Sequence, residues 1–129
     1  EYDYYTTTKG VLEKVKAHVG DVDFAVQPEI LSLLSSGNFG RYADEKGEMK
    51  VCFISNNDIT GGNSGSAMFN SKGELLGLAF DGNWEAMGSD ILYEPKMQRT
   101  IGVDVRYILF MIEKYGKAGN LIQELNILN

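Results

Sequence analysis

The spacing of apolar residues along the chain predicts several strands in its middle part. MKVCFISN at 49–56 has the apolar and β-branched content of a buried strand. AMFNSKGELLGLAF at 67–80 indicates two strands around an Asn-Ser-Lys-Gly turn, and RTIGVDV at 99–105 indicates another after a glycine-containing loop at 81–98. VLEKVKAHV at 11–19 satisfies both the strand and the helix period, so both alternatives stay open.

Helices are predicted on either side of these strands. Pro28 suits the first turn of a helix in PEILSLLSS, which ends near Gly37. Asp104 is placed to cap the helix VRYILFMIEKY, and Gly116 is placed to end it. We expect Asn120 to cap a last short turn in LIQELNIL. The apolar face of the longer helix consists of Val105, Ile108, Leu109 and Ile112.

Composition indicates one compact domain over residues 1–129. The 43% hydrophobic content is enough for a core, and the net charge of −6 argues against a non-specific nucleic-acid surface. No apolar run approaches the ~20 residues of a membrane-spanning helix. One histidine and one cysteine give no metal-ligand cluster, so we expect neither metal nor cofactor. Cys52, within VCFI, is interpreted as a core residue.

GGNSGS at 61–66 is the strongest candidate for chemistry. Gly62 and Gly65 permit a sharp turn around Ser64, whose hydroxyl is then available as a nucleophile. The amides of Gly62 and Ser64 would form an oxyanion hole. The same residue types also dominate turns without chemistry, and the hexapeptide alone does not decide between these alternatives. Ser66 stands where the nucleophile elbow of α/β-hydrolases requires glycine, which argues against that fold.

Four longer stretches resemble the bacterial dipeptidyl-peptidase 7 and 11 family of chymotrypsin-clan serine exopeptidases. The resemblance implies a mainly β fold with helices. We expect a chymotrypsin-like second β-barrel over about 45–103, followed by a C-terminal helix over about 104–116. The four stretches are FGRYAD at 39–44, NDITGGNSGS at 57–66, GLAFDGNWEAM at 77–87 and QRTIGVDVRYILFMIEKYG at 98–116.

The resemblance implies a serine dipeptidyl-peptidase that releases N-terminal dipeptides through an acyl-enzyme on Ser64. In the chymotrypsin clan, the catalytic histidine and aspartate precede the serine on the first barrel. Only 45 residues separate His18 from Ser64, so we interpret His18 as a structural or surface histidine. The missing partners are therefore a first barrel and a helical cap domain of a parent chain. Without the histidine, the isolated chain is expected to be inactive.

The resemblance also assigns a substrate cleft. Phe80, Asp81 and Gly82 end the strand beside the substrate, with Asp81 near its N-terminal ammonium. Acidic-specific members carry an arginine at the position of Gly82, so glycine predicts an open pocket for apolar or aromatic second substrate residues. An ordinary turn glycine is the alternative. Asn63 replaces the aspartate that pairs with the new N-terminus in chymotrypsin, so that ion pair is not expected.

Other residues near the cleft admit two interpretations each. Asp58 either selects substrate or caps a turn, and the first alternative has little support. Trp84 and Tyr93 contact substrate or a neighbouring domain, or else they pack in the core or anchor a loop.

Two further functions stay open, an endopeptidase of the same clan and a catalytically incomplete module that binds peptides or a partner. The resemblance implies a periplasmic or secreted parent protein. Apolar surface exposed where the first barrel would dock predicts self-association of the isolated chain, for instance as a homodimer.

Overall fold

The computed structural model describes residues 4–88 and 94–128. The chain folds into two compact units. A sheet unit comprises Glu1–Thr6 and Val51–Val105, and a helical unit comprises Thr7–Lys50 and Arg106–Asn129. The sheet unit overlaps the range of about 45–103 that was assigned to a barrel. That residues 1–129 form one domain stays a prediction.

Five strands form one sheet in the order β1-β2-β5-β4-β3. The pairs β2–β5, β5–β4 and β4–β3 are antiparallel. The strands expected at 49–56, 67–80 and 99–105 are confirmed. Closure of the sheet into a barrel stays a prediction. The strands are β1 (Tyr5–Thr7), β2 (Lys50–Ser55), β3 (Ala67–Phe69), β4 (Leu75–Gly82) and β5 (Thr100–Asp104).

The pairing of β4 with β5 contains an irregularity close to the end of β4. Ala79 pairs with Gly102 and Asp81 pairs with Ile101, which leaves Phe80 as the extra residue of a bulge. A bulge bends its strand and re-aims the backbone groups next to it. The buried Thr100 side chain, on β5, donates a hydrogen bond of 2.7 Å to the Asn57 carbonyl. This bond fixes the segment that leads from β2 into GGNSGS.

The helical unit contains α-helices together with short 3₁₀ and π-helical stretches. The ambiguous segment at 11–19 belongs to a helix whose first turn is capped by the Thr7 hydroxyl. The predicted helix after Pro28 is confirmed, and α3 continues directly into a π-helical stretch at Met111–Tyr115. Single turns of 3₁₀ helix occur at Val22–Phe24 and Gly40–Tyr42. The α-helices are α1 (Thr8–Ala17), α2 (Pro28–Ser35), α3 (Val105–Phe110) and α4 (Gly119–Gln123).

An aromatic cluster forms the core of the helical unit. Phe110 is 1% exposed and meets Phe39 and Tyr42 edge-on, with ring centroids 5.7 and 6.1 Å away. The sequence pattern had not included Phe110 in the apolar face. The Tyr42 hydroxyl donates to Glu113. Burial, together with this hydrogen bond, raises the pKa of Tyr42 to about 12, and the same hydrogen bond lowers the pKa of the Glu113 carboxyl.

Three details of the C-terminal part differ from the sequence prediction or refine it. Asn120 was predicted to cap the last helix, but α4 begins at Gly119 with Ala118 as its N-cap and without a side-chain cap. Gly116 follows the longer helix with a right-handed φ of −73°, whereas Lys117 adopts the left-handed φ of 52°. Asp104 is buried at the end of β5, and its capping role stays a prediction.

The segment predicted as a loop at 81–98 is partly regular. β4 continues through Gly82, and a 3₁₀ stretch covers Trp84–Gly88. Among the described residues, no helix combines the length and apolarity that crossing a bilayer requires.

Candidate active site

The segment between β2 and β3 contains a tight turn, called here the serine turn (residues 60–65). Gly62 and Gly65 have φ values of 93° and 88°, in the left-handed region that favours glycine. A Cβ built at either position would meet no described atom within 4 Å. Backbone conformation, and not crowding, therefore requires glycine here. The sharp turn predicted around Ser64 is present.

Hydrogen bonds close the serine turn and attach it to the sheet. The Asn63 amide donates to the Thr60 carbonyl at 3.2 Å. The Thr60 amide and hydroxyl donate back to Asn63 Oδ1 at 2.9 and 3.2 Å. Further along, the Gly65 amide donates to the Ala79 carbonyl on β4 at 2.7 Å. The turn is thus held internally at one end and by a strand at the other.

Ser64 is exposed in this turn, and its hydroxyl has a defined direction. Ser64 Oγ donates to the carbonyl oxygen of Phe80, the bulged residue of β4, at 3.2 Å. The bulge therefore aims a backbone acceptor at the predicted nucleophile. A peptide carbonyl orients a hydroxyl but is too weak a base to remove its proton. A separate base is needed before Ser64 becomes a strong nucleophile.

The two amides predicted as oxyanion donors are not used by the turn itself. Throughout residues 4–88 and 94–128, neither the Gly62 nor the Ser64 N–H donates a hydrogen bond. Both residues are exposed. Backbone N–H groups are strong donors that are normally paired, with protein groups or with water or a ligand. These two amides flank Asn63 and lie next to the Ser64 hydroxyl in sequence, as an oxyanion site requires.

The end of β4 places Asp81 and Gly82 beside this turn in the sheet unit. Asp81 is exposed, and its Oδ1 accepts a 2.8 Å hydrogen bond from the Gly82 amide. A Cβ at Gly82 would lie 2.8 Å from Ala86 Cβ, 3.6 Å from Ile59 Cγ2 and 3.8 Å from the Arg99 carbonyl oxygen. A side chain at Gly82 would therefore crowd Ala86, and the open pocket stays a prediction.

Asn83, directly after β4, and Arg99, directly before β5, form hydrogen bonds with each other, and the sequence interpretation missed both residues. The Asn83 amide donates to the Arg99 carbonyl at 2.9 Å, and the Arg99 amide donates to Asn83 Oδ1 at 2.8 Å. The Arg99 guanidinium donates to three carbonyls of its own loop. An asparagine after a strand glycine is a common turn signal, but nothing local indicated its partner. The three acceptors are the carbonyls of Pro95, Lys96 and Gln98.

The remaining predicted residues lie apart from this constellation or outside the described residues. His18 belongs to the helical unit, is exposed, and stacks on Phe24 with ring centroids 4.0 Å apart. Asp58 is exposed. Trp84 is 81% exposed, so core packing is the wrong alternative for it. Tyr93 lies outside the described residues. In the part that the structure describes, no cluster of His, Cys, Asp or Glu is suited to a metal ion.

Comparisons with known proteins agree with the resemblance seen in the motifs. The chain is 60% identical to dipeptidyl-peptidase 7 of Porphyromonas endodontalis, covering 98% of this chain and 15% of that relative. It is 46% identical to an Asp/Glu-specific dipeptidyl-peptidase of Capnocytophaga gingivalis, covering 98% of this chain and 18% of the relative. The chain thus spans less than a fifth of the length of these relatives.

A solved structure and a family model extend the agreement to the fold. The crystal structure of Porphyromonas endodontalis DPP11 in complex with the dipeptide Arg-Asp superposes with a TM-score of 0.89 at 43% identity, covering 95% of this chain and 17% of that one. Residues 1–127 match the model of the family described as Peptidase S46. A match over nearly the whole chain establishes that the chain belongs to the peptidase S46 family.

Proposed function

We propose that this chain carries the nucleophile and the oxyanion site of a serine-type dipeptidyl-peptidase. One observation supports this proposal above all. The exposed Ser64 hydroxyl and the two uncommitted amides of Gly62 and Ser64 belong to one hydrogen-bonded turn. The relatives named dipeptidyl-peptidase supply the class of reaction.

The proposed reaction begins when the carbonyl oxygen of the second substrate residue accepts hydrogen bonds from the Gly62 and Ser64 amides. Ser64 Oγ attacks the carbonyl carbon as a base from the remainder of the parent chain takes its proton. The tetrahedral intermediate collapses, the C–N bond breaks, and the amine of the shortened peptide leaves with a proton. Water then hydrolyses the acyl-enzyme and releases the dipeptide. Each amide donor is worth about 3 kcal/mol of transition-state stabilisation.

We propose further that the sheet belongs to a chymotrypsin-like second barrel. Among the described residues, the strand order ends with β1 on one side and β3 on the other, and further strands of a barrel would add at these edges. Large apolar side chains on β3 and β4 are between 42% and 60% exposed. Segments of the parent chain outside these 129 residues would cover them. These side chains are Phe69, Leu75, Leu76 and Phe80.

The surroundings of Gly82 favour an apolar second residue in the substrate. The methyl groups of Ala86 and Ile59 lie nearest to the position of a Cβ at Gly82. The Arg99 guanidinium already donates to three carbonyls, which leaves it fewer donors for an acidic substrate side chain. The identity is 60% to a dipeptidyl-peptidase 7 and 46% to an Asp/Glu-specific relative, which favours a preference other than an acidic one.

Asp81 is the proposed acceptor for the free N-terminus of the substrate. Its side chain is exposed, and the Gly82 amide orients one of its oxygens. A carboxylate at the end of the cleft strand forms an ion pair with an ammonium, whereas a mid-chain peptide group is uncharged and interacts with it more weakly. This selection would make the enzyme an exopeptidase.

Substitution of Ser64 in the full-length parent enzyme tests the proposal. Ser64→Ala should lower kcat on dipeptidyl substrates by a factor of about 10⁴ or more, with a small change in KM. Ser71→Ala, in the turn between β3 and β4, is the matched control and should keep the wild-type rate. A normal rate for Ser64→Ala would refute the nucleophile. Cleavage of an N-acetylated substrate at an undiminished rate would instead favour an endopeptidase.

A further inference from the structure

The four residues Thr60–Asn63 form a β-turn with two glycines at its centre. Gly62, the third residue, has a φ of 93°, and the φ of Gly61 is outside the left-handed region. This combination is that of a type II turn, in which the third residue has a φ near +80°. The type I alternative needs a negative φ at the third residue, which glycine adopts as readily as a positive one.

The type of turn decides where the Gly62 amide points. The ψ angle of the second residue is about −30° in a type I turn and about +120° in a type II turn. That rotation turns over the peptide between Gly61 and Gly62, which carries the Gly62 N–H. Only one of the two orientations directs this N–H toward a carbonyl that Ser64 attacks. The oxyanion site therefore depends on whatever holds the turn in one form.

Packing within the described residues does not hold this turn. A Cβ built at Gly61, Gly62 or Gly65 would meet no described atom within 4 Å, and all residues from 60 to 66 are exposed. Hydrogen bonds are the remaining constraint that the chain itself supplies. Asn63 makes most of them, and it is the residue that lies between the two donor amides.

The hydrogen bonds of Asn63 connect it to residues on both sides of the two donors. Its carbonyl oxygen accepts from the Ser66 amide at 2.9 Å, which orients the peptide that carries the Ser64 N–H. Its Oδ1 accepts from the Thr60 amide and hydroxyl at 2.9 and 3.2 Å, in addition to the main-chain bond between its own amide and Thr60. We call the two bonds to Oδ1 the Asn63 clasp.

We propose that Asn63 is a positioning residue whose clasp holds the Gly62 amide in the orientation that binds the oxyanion, while the main-chain bond from the Ser66 amide to the Asn63 carbonyl orients the Ser64 amide. This inference rests on the proposed function of Ser64. Without the clasp, the segment Thr60–Asn63 keeps only one internal bond, from the Asn63 amide to the Thr60 carbonyl, which type I and type II turns share. The Gly61–Gly62 peptide then samples both orientations, and the competent fraction falls.

Three variants of the full-length enzyme test the clasp. Asn63→Leu keeps a side chain of similar size but removes the acceptor. It should lower kcat about 10- to 100-fold with KM nearly unchanged, because the hydrogen bond to the oxyanion stabilises mainly the transition state. Asn63→Asp keeps the acceptor and should stay within about fivefold of the wild-type kcat. Asn70→Leu is the matched control, since Asn70 Oδ1 also accepts two amides, from Lys72 at 2.9 Å and Glu74 at 3.0 Å.

The outcomes separate this inference from the proposed function. If Ser64→Ala is inactive while Asn63→Leu has the wild-type kcat, the nucleophile stands and the clasp is refuted. The clasp is also refuted if Asn63→Asp loses as much kcat as Asn63→Leu, or if Asn70→Leu loses equally. Circular dichroism shows whether Asn63→Leu folds. If it does not, Thr60→Val is the substitute, because it removes only the hydrogen bond from the Thr60 hydroxyl. Thr60→Val should then have a kcat a few-fold lower than that of Thr60→Ser, which keeps the hydroxyl. Equal kcat for those two variants overturns the proposal.

Discussion

Three turns of this chain are built from the same kinds of residue, but among the described residues they pair different amides. The turns DEKGE at 44–48 and NSKGE at 70–74, called here the closed turns, have left-handed glycines at Gly47 and Gly73. The serine turn has left-handed glycines and an asparagine as well. Composition does not separate these turns.

The difference lies in which amides each turn uses. In NSKGE, the amides of Lys72 and Glu74 donate to Asn70 Oδ1, and the Gly73 amide donates to the Asn70 carbonyl. DEKGE has the same pattern around Asp44. The serine turn leaves the Gly62 and Ser64 amides without partners among the described residues. Each closed turn pairs three consecutive amides, whereas the serine turn leaves two amides, one residue apart, unpaired beside an exposed hydroxyl, and this arrangement is suited to binding a carbonyl.

The largest effect is expected from placing a methyl group on the glycines that the turns share. Gly62→Ala and Gly73→Ala both place alanine at a left-handed φ, 93° and 78° respectively, and each should cost about 1 kcal/mol of folding stability. Only Gly62→Ala should also lower kcat, by about 100-fold or more, because it disturbs an oxyanion donor. Steady-state kinetics and thermal unfolding of the full-length variants measure both quantities. Equal kcat values for the two variants would remove the distinction between the turns.

An intermediate effect is expected from a charged side chain beside the serine turn. Gly82→Arg brings a Cβ to within 2.8 Å of Ala86 Cβ, so the substitution should disturb the apolar pocket. Turnover of substrates with an apolar second residue should fall about tenfold or more. The double variant Gly82→Arg/Ala86→Gly should gain cleavage after glutamate. Ala86→Gly alone is the control and should keep the apolar preference; a loss of that preference would argue against Gly82 as the determinant.

The smallest effect is expected from pH at the closed turn DEKGE. The Glu48 amide is the main group that holds the pKa of the Asp44 carboxyl below its usual range, and the Lys46 amide adds to it. A lowered carboxyl pKa contributes stability that is fully present above the unfolded value of about 3.9 and is lost as pH falls through the lower folded value. Asp44→Asn should remove this acid-dependent part. Thermal unfolding midpoints from pH 6 to pH 2 compare the two proteins, and parallel curves would contradict the assignment.

The strands could be predicted because their signal is local. Alternation and β-branched residues located β2, β3, β4 and β5 to within a residue or two at most ends. The bulge at Phe80 could not be predicted, because it depends on the register between β4 and β5. The π-helical stretch at Met111–Tyr115 and the left-handed Lys117 likewise depend on how the helical unit packs.

The candidate site also combines features that local sequence predicts with features that depend on strand register. Gly62 and Ser64 could be identified from six consecutive residues, since glycine at a left-handed φ is a property of the turn itself. The acceptor of the Ser64 hydroxyl, the Phe80 carbonyl, lies 16 residues away and is a backbone atom that any residue would supply. The pairing of Asn83 with Arg99 spans another 16 residues. Such contacts are set by strand register and leave little trace in local sequence.

Covalent labelling of the full-length enzyme tests the central claim most directly. A fluorophosphonate reacts with an activated serine and leaves a stable phosphonyl adduct that peptide mass spectrometry locates. We predict one adduct, on Ser64, that is absent from Ser64→Ala and unchanged in Ser71→Ala. An adduct on another serine, or no adduct on an enzyme that still releases dipeptides, would contradict the assignment of Ser64 as the nucleophile.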